Sequence, residues 1–228
     1  MPPSTIQRKS KHHAALFRGQ DKEGDGRCAT RENATYARAQ HFATGVLQMT
    51  RTEIIQTPDF TGVLAAHGRS PDIPEQADAY GWLVGSWELL CLHYNGVDVS
   101  IPGEAHFGWV LEGRAVQDIW IMPSLAERTS SSDKTKNMYG TTLRIWDSSL
   151  NAWRIHWRNP VHNHYEDQIG RWSGNDVVQI GVRPDGTPTR WTFTEVSSNS
   201  FHWLGEALRT DGRNWKLEGE FRAKRATG

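Results

Sequence analysis

The chain has 228 residues, with 26 Lys+Arg against 26 Asp+Glu and a formal net charge of zero. That balance argues against a nucleic-acid or anionic-membrane partner, which needs a basic excess on one face, and no apolar run approaches the ~20 residues of a membrane helix. Two cysteines in different regions, Cys28 and Cys91, argue against a structural disulfide and, with no apolar core of signal-peptide length at the basic start, fit a cytoplasmic protein.

Residues 1–48 mix glycine, charge and isolated aromatics with little periodicity, so a poorly ordered, disordered N-terminal arm is expected there. Met49 is an alternative start, and the His12-His13 pair reads as a solvated part of the arm. Residues 49–80 read as a linker and lead-in segment: a short apolar patch (Ile54, Ile55, Phe60, Val63, Leu64), then Pro71 and Pro74, which favour extended chain. Glu75 to Leu83 is expected to make a helical turn that closes one end of the domain. All eleven tryptophans lie at Trp82 or later, which places the folded domain at 81–226.

From Gly85 the apolar pattern has period two. GSWELLCLHY reads as a strand ending in an Asn95-Gly96 turn, and AHFGWVLEG and RAVQDIWIMP as two strands around Glu112-Gly113. The stretch SLAERTSSSDKTKN at 124–137 is the most polar in the domain and the best flap candidate. Seven more strands follow, beginning at Tyr139, Ala152, His164, Asp176, Thr189, Ser200 and Asn214, with turns at Pro184-Asp185-Gly186 and Asp211-Gly212. Asp-Gly and Asn-Gly between alternating runs are hairpin signals, because both supply the positive φ of a tight turn. Roughly ten short strands at 8–12-residue spacing make an all-β, antiparallel up-and-down meander, which must close into a barrel, or double into a sandwich, to remove its edges.

LVGSWE, with Gly85 and Trp87, resembles the G-x-W opening strand of lipocalin-like (calycin) β-barrels. In that family the Trp packs at the closed end against an Arg of the last strand, a role the resemblance gives to Arg222 or Arg225 of FRAKR. The longer run HFGWVLEGRAVQDIW, YGTTLRIWD, W-R-x-x-W and FRAKR resembles DUF1579-type bacterial hypothetical proteins of the same barrel group. The resemblance spans about Leu83 to Arg225 and implies a central pocket for a small, often apolar molecule, with no catalytic set. The N-terminal arm departs from the compact family pattern.

Four constellations carry candidate chemistry. His162-x-His164-x-Glu166 has i, i+2, i+4 strand spacing that suits a metal, but it follows a hairpin turn and offers few ligands, so a polar loop without metal is expected. Arg154, His156 and Arg158 share one face of their strand, opposite Trp153, Ile155 and Trp157. If His156 pairs with Glu166, then His156, Arg158, His164 and Glu166 share a face; a one-residue slip puts Glu166 on the tryptophan face. Asp118, between apolar neighbours, either pairs with an Arg such as Arg144 or stands in the cavity as an acid or base. Finally Trp87, Trp109, Trp120, Trp146, Trp191 and Trp203 are candidates to line a flat apolar site or to fill the core, with His93 toward a pocket mouth. Cys91, alternating with Leu89 and Trp87, reads as a small buried hydrophobe.

The expected function is binding of a small hydrophobic or aromatic molecule in the barrel lumen, through Trp87, His93, Trp109, Trp120, Arg144, Trp146, Arg158, Glu166 and Trp203, with no cofactor. The alternative is a cofactor-independent isomerase, cyclase or lyase with Asp118 or His156 as acid/base. A third reading is an interaction module with a solid interior, and homodimer formation is left open. A haem held by one His (His93, His156 or His164) is a minor option.

Overall fold

A computed structural model describes residues 59–129 and 137–227. A five-residue helix α1 (Phe60–Leu64) starts at Asp59, whose carboxylate accepts from the Gly62 N–H at 2.8 Å. It leads into a two-residue strand β1 (Ala65–Ala66). Then come β2 (Gly85–Tyr94), β3 (Val97–Val110), β4 (Ala115–Met122), β5 (Met138–Asp147) and β6 (Ala152–Asn159). The chain ends through β7 (His164–Ser173), β8 (Asp176–Val182), β9 (Pro188–Thr194), β10 (Ser200–Leu208) and β11 (Trp215–Arg225).

Every strand from β2 to β11 pairs antiparallel with its neighbours in sequence, and β11 returns to β2. The result is a closed ten-stranded up-and-down barrel. β1 pairs with β3 at Trp109 and Val110, continuing the sheet beyond the first residue of β2, which pairs at Phe107. The turns follow local chemistry: Asn95 (φ 52°) and Gly96 (φ 83°) both take the positive φ of a two-residue hairpin. β3 begins directly after that turn, several residues earlier than alternation alone suggests. The expected arm (1–48), His12-His13, Cys28 and Met49 lie outside the described residues. Of the flap stretch, Leu125–Glu127 makes one 3₁₀ turn, and 130–136 lie outside the described residues. No described helix is long and apolar enough to cross a membrane.

Strict alternation fills one end of the barrel. Trp87, Leu89, Trp153, Ile155, Phe193 and Phe201 point inward and are buried. The chain before β2 plugs this end, with Ile73, Ala79, Tyr80 and Leu83 buried. Two 3₁₀ turns (Glu75–Ala77 and Gly81–Leu83) shape the plug, and indole N–H groups hold it. Trp153 donates to the Ala77 carbonyl at 2.8 Å, Trp172 to Asp78 at 3.1 Å and Trp87 to Leu83 at 2.7 Å. Arg225 then closes the end. Its guanidinium stacks 4.1 Å from the Trp87 ring centre and donates to the carbonyls of Val84, Trp82 and Ser198. Gly85 (φ 125°) precedes this stack, and a Cβ there would meet the Arg225 guanidinium at 2.8 Å.

Toward the other end the alternation is broken. Register shifts occur between Cys91 and His93 on β2, and between Gly205 and Glu206 on β10. Gly205 pairs with Gly219 and Glu206 with Leu217, so Glu218 is the extra residue. A bulge of this kind reverses which face the following residues present. Glu218 itself and Lys216 past it border the lumen, and Trp215 stacks on Arg190, 4.4 Å away.

Candidate functional site

The open half of the barrel holds a cavity of about 600 Å³. It is bordered where the β2–β3, β6–β7, β8–β9 and β10–β11 turns gather, by Asn95, His162, Arg183 and Lys216 among others. The lumen is therefore not filled solid.

One side is a belt of indoles. Trp157 meets Trp191 edge-on at 6.2 Å, Trp191 meets Trp203 at 5.5 Å, and Trp203 meets Trp120 at 5.8 Å. Phe221 closes the belt, 5.5 Å from Trp203 and 5.4 Å from Trp120. Edge-to-face contacts of this kind rigidify a wall beyond their area burial. The Trp203 indole lies over the Gly205–Gly219 pair; a Cβ on Gly205 would meet that ring at 2.5 Å.

Two polar groups support the cavity. In the first, Asp118 is fully buried, and Oδ2 accepts from Arg144 Nη1 at 2.6 Å and Trp120 Nε1 at 3.0 Å. Its Oδ1 accepts from the Thr142 backbone N–H at 2.6 Å. Register pairs Asp118 with Thr142 and Val116 with Arg144, which puts these side chains on one inner face. The Arg144 guanidinium lies between the cavity and the plug, over the rings of Tyr80 (5.1 Å), Phe107 (5.6 Å) and Phe193 (5.9 Å).

The second is a chain of hydrogen bonds running from the plug to the mouth. Tyr80 donates to Gln179 at 3.0 Å, Gln179 to Gln168 at 3.3 Å, Gln168 to Thr189 at 3.1 Å and Thr189 to Glu166 at 2.9 Å. Glu166 Oε1 accepts from Arg183 Nε at 2.6 Å and faces His164 Nε2 at 3.1 Å; Arg183 also reaches Glu218 at 2.7 Å. Burial alone would raise the Glu166 pKa, but hydrogen bonds from His164, Arg183 and Thr189 outweigh it and hold the carboxyl below its ordinary range. Burial likewise opposes the Arg183 charge, yet Glu218 and Glu166 hold its pKa above the usual value. An ionised Glu166 can only accept, so His164 Nε2 donates and Nδ1 is left as the acceptor of the neutral ring. Tyr80 is pushed well above the ordinary phenol range by burial.

Among the residues expected to bind ligand, Trp120, Arg144 and Trp203 line the cavity, while Asp118 and Glu166 are buried supports of its wall. The β6–β7 register pairs Trp157 with Glu166 and His156 with Asp167. Glu166 therefore sits on the tryptophan face, and Arg154, His156 and Arg158 face outward. His156 Nδ1 and Arg158 Nη2 both meet Asp167 Oδ1 at 2.8 Å, so neither borders the lumen and His156 has no access to a ligand there. His93 is turned out by the bulge and pairs with Asp98 at 2.7 Å. Trp87 belongs to the closed end under Arg225. Trp109 and Trp146 pack around Trp153, at 6.4 Å and 5.9 Å, away from the cavity. Cys91 is buried, and burial pushes its thiol up to about 11. Asp118 is an acid whose oxygens are already taken by three donors, which leaves it poorly placed to exchange protons with a substrate.

The sequence reading missed Arg183, Lys216 and Glu218. Arg183 had a signal, standing beside the Pro184-Asp185-Gly186 turn at a barrel end; Lys216 and Glu218 had none, because a bulge re-aims them. Among the described residues, no three His, Cys, Asp or Glu side chains are arranged to hold a metal ion.

Fold and site together define a closed antiparallel up-and-down β-barrel, plugged at one end, with an aromatic cavity at the other. No family model matches the chain, and no curated protein matches it. Among solved structures it is similar to an S-type phycobiliprotein lyase from Guillardia theta, with 10% identity and a TM-score of 0.43, over 65% of this chain and 91% of that one. The likeness is too distant to bear on function.

Proposed function

We propose that the barrel binds a small, flat, apolar or aromatic molecule in its lumen, as expected of the DUF1579-type and wider lipocalin-like group it resembles. The observation that carries this is the continuous belt Trp157–Trp191–Trp203–Trp120 around a cavity of about 600 Å³. Ligand sites of roughly 300–1,000 Å³ with apolar walls and a few convergent polar groups suit drug-sized molecules. The test is equilibrium dialysis of the full chain against the three-ring hydrocarbon fluorene, with native mass spectrometry of the purified protein. Saturable binding of one fluorene, or one bound small molecule in the spectrum, is expected. Absence of both overturns the proposal.

A second reading, acid–base chemistry on such a ligand, is favoured by one observation. His164 borders the cavity beside Glu166, a carboxylate held ionised, which fixes the imidazole tautomer. His164 takes the role expected of Asp118 or His156. Exchange of the α-protons of 1-indanone in D₂O, followed by NMR, tests it: protein-dependent acceleration lost in His164→Gln supports catalysis, and no acceleration leaves binding alone.

A further inference from the structure

Arg144 is a cation deep in the barrel, 2% exposed, and it lines the cavity. Its Nη1 is bonded to Asp118 at 2.6 Å. Its Nε is buried with no hydrogen-bond partner, and Nη2 makes no hydrogen bond to a described residue. A guanidinium carries five N–H donors in a fixed fork. Leaving buried donors unmet is costly, and native proteins rarely do so without a functional reason. The rings of Tyr80, Phe107 and Phe193 crowd around this guanidinium within 6 Å, and the Tyr80 hydroxyl is engaged with Gln179.

We propose that the deep end of the cavity recognises a neutral hydrogen-bond acceptor, the carbonyl oxygen of a flat aromatic ketone or quinone, which accepts from Arg144 Nη2, the Nε–H being enclosed by protein. This rests on the reading of the lumen as an aromatic-ligand site and adds the polar feature that orients the ligand. Charge decides between a carbonyl and a carboxylate. The fully buried Asp118 carboxylate already balances Arg144, and a second anion beside it would be repelled across a low-dielectric interior. A carbonyl oxygen adds acceptor capacity without charge. Position decides the ring system. Trp120 is locked by its own bond to Asp118 at 3.0 Å and lines the same cavity, so a ring lying on Trp120 carries an oxygen at its edge toward Arg144.

The test compares three probes of one shape, fluorene, 9-fluorenone and fluorene-9-carboxylate, by equilibrium dialysis against the full chain. A hydrogen bond from a charged donor predicts 9-fluorenone binding roughly tenfold or more tighter than fluorene, with the carboxylate no tighter than fluorene. The infrared carbonyl stretch of bound 9-fluorenone shifts to lower wavenumber than in an apolar solvent. In the double variant Asp118→Asn/Arg144→Met, which removes both charges together, the ketone-to-hydrocarbon ratio falls to near one. Equal affinity for ketone and hydrocarbon, an unshifted carbonyl band, or preference for the carboxylate overturns the proposal. The infrared measurement on the unaltered protein decides the matter even where the double variant does not fold. Failure of fluorene and 9-fluorenone alike overturns the aromatic-lumen reading itself, and this inference with it.

Discussion

Replacing Asp118 with asparagine keeps the size and planarity of the side chain and removes its charge. The carboxylate receives Arg144 Nη1 at 2.6 Å and Trp120 Nε1 at 3.0 Å on one oxygen, and the Thr142 N–H at 2.6 Å on the other. An asparagine oriented to satisfy the first two donors turns its own N–H₂ toward the third. It also leaves a guanidinium that is 2% exposed without a counter-charge. Breaking a buried pair from one side costs about 3–5 kcal/mol, a figure that includes the newly unmet donor. Against a total of about 5–15 kcal/mol for a domain, that is a large and measurable loss. The double variant Asp118→Asn/Arg144→Met has no orphaned charge and should lie about 2 kcal/mol or more above the sum of the two single changes. Urea unfolding followed by tryptophan fluorescence and far-UV circular dichroism gives the values, coincidence of the two probes checking two-state behaviour. A loss below about 1 kcal/mol for Asp118→Asn, or strict additivity in the double variant, would refute the assignment of this pair as mutually dependent.

Arg225→Lys removes the flat stack on Trp87 and the fork that reaches three carbonyls; the urea midpoint should fall by an amount equivalent to about 2–4 kcal/mol, and an unchanged midpoint would contradict the clasp. Gly205→Leu drives the Trp203 indole off its glycine platform and into the lumen, because even a Cβ there meets the ring at 2.5 Å. Fluorene binding should be lost while the far-UV spectrum is kept, and retained binding would argue that the lumen is not the site. Glu166 has a depressed folded-state pKa, so its contribution is complete above the unfolded value of about 4.3 and is lost as pH falls through the folded value. Between pH 6 and 3 the urea midpoint of Glu166→Gln should therefore fall less steeply than that of the unaltered protein, and parallel profiles would contradict the linkage.

The strands were legible because each is wet on one side and dry on the other, which writes period two into the chain. The closed end was legible only through the resemblance, which offered Arg222 or Arg225; Arg225 stacks on Trp87, while Arg222 pairs with Glu195. The site was less so. Whether Glu166 faces in or out depends on one residue of register between β6 and β7. The β6–β7 hairpin sets that register through an Asn159–His164 pair and a positive φ at Asn163 (50°), geometry that alternation does not encode. Glu218 is the extra residue of one bulge, and His93 and Lys216 lie beyond bulges, where extrapolated alternation gives the wrong face. Asp118 was conspicuous as a charge between apolar neighbours, and a pair with Arg144 was one of two outcomes left open for it; the β4–β5 register brings the two together. The missing partner of Arg144 Nε could not be seen until neighbouring atoms had positions.

Nine of the barrel's ten seams join strands that are consecutive in the chain, while the tenth joins β2 to β11, the first and last strands of the wall. Hairpins need only short loops to form, whereas the closing seam must bring distant segments together and bears the larger loop-closure entropy. The Trp87–Arg225 clasp stands on that seam, and the plug is tied to it through the Trp87 indole. Without β11 docked on β2 the wall is a meander with two open edges and the plug lacks the Arg225 contacts to Val84 and Trp82. The cavity wall, which includes Phe221 and Gly219 of β11, is thus complete only when that seam is closed.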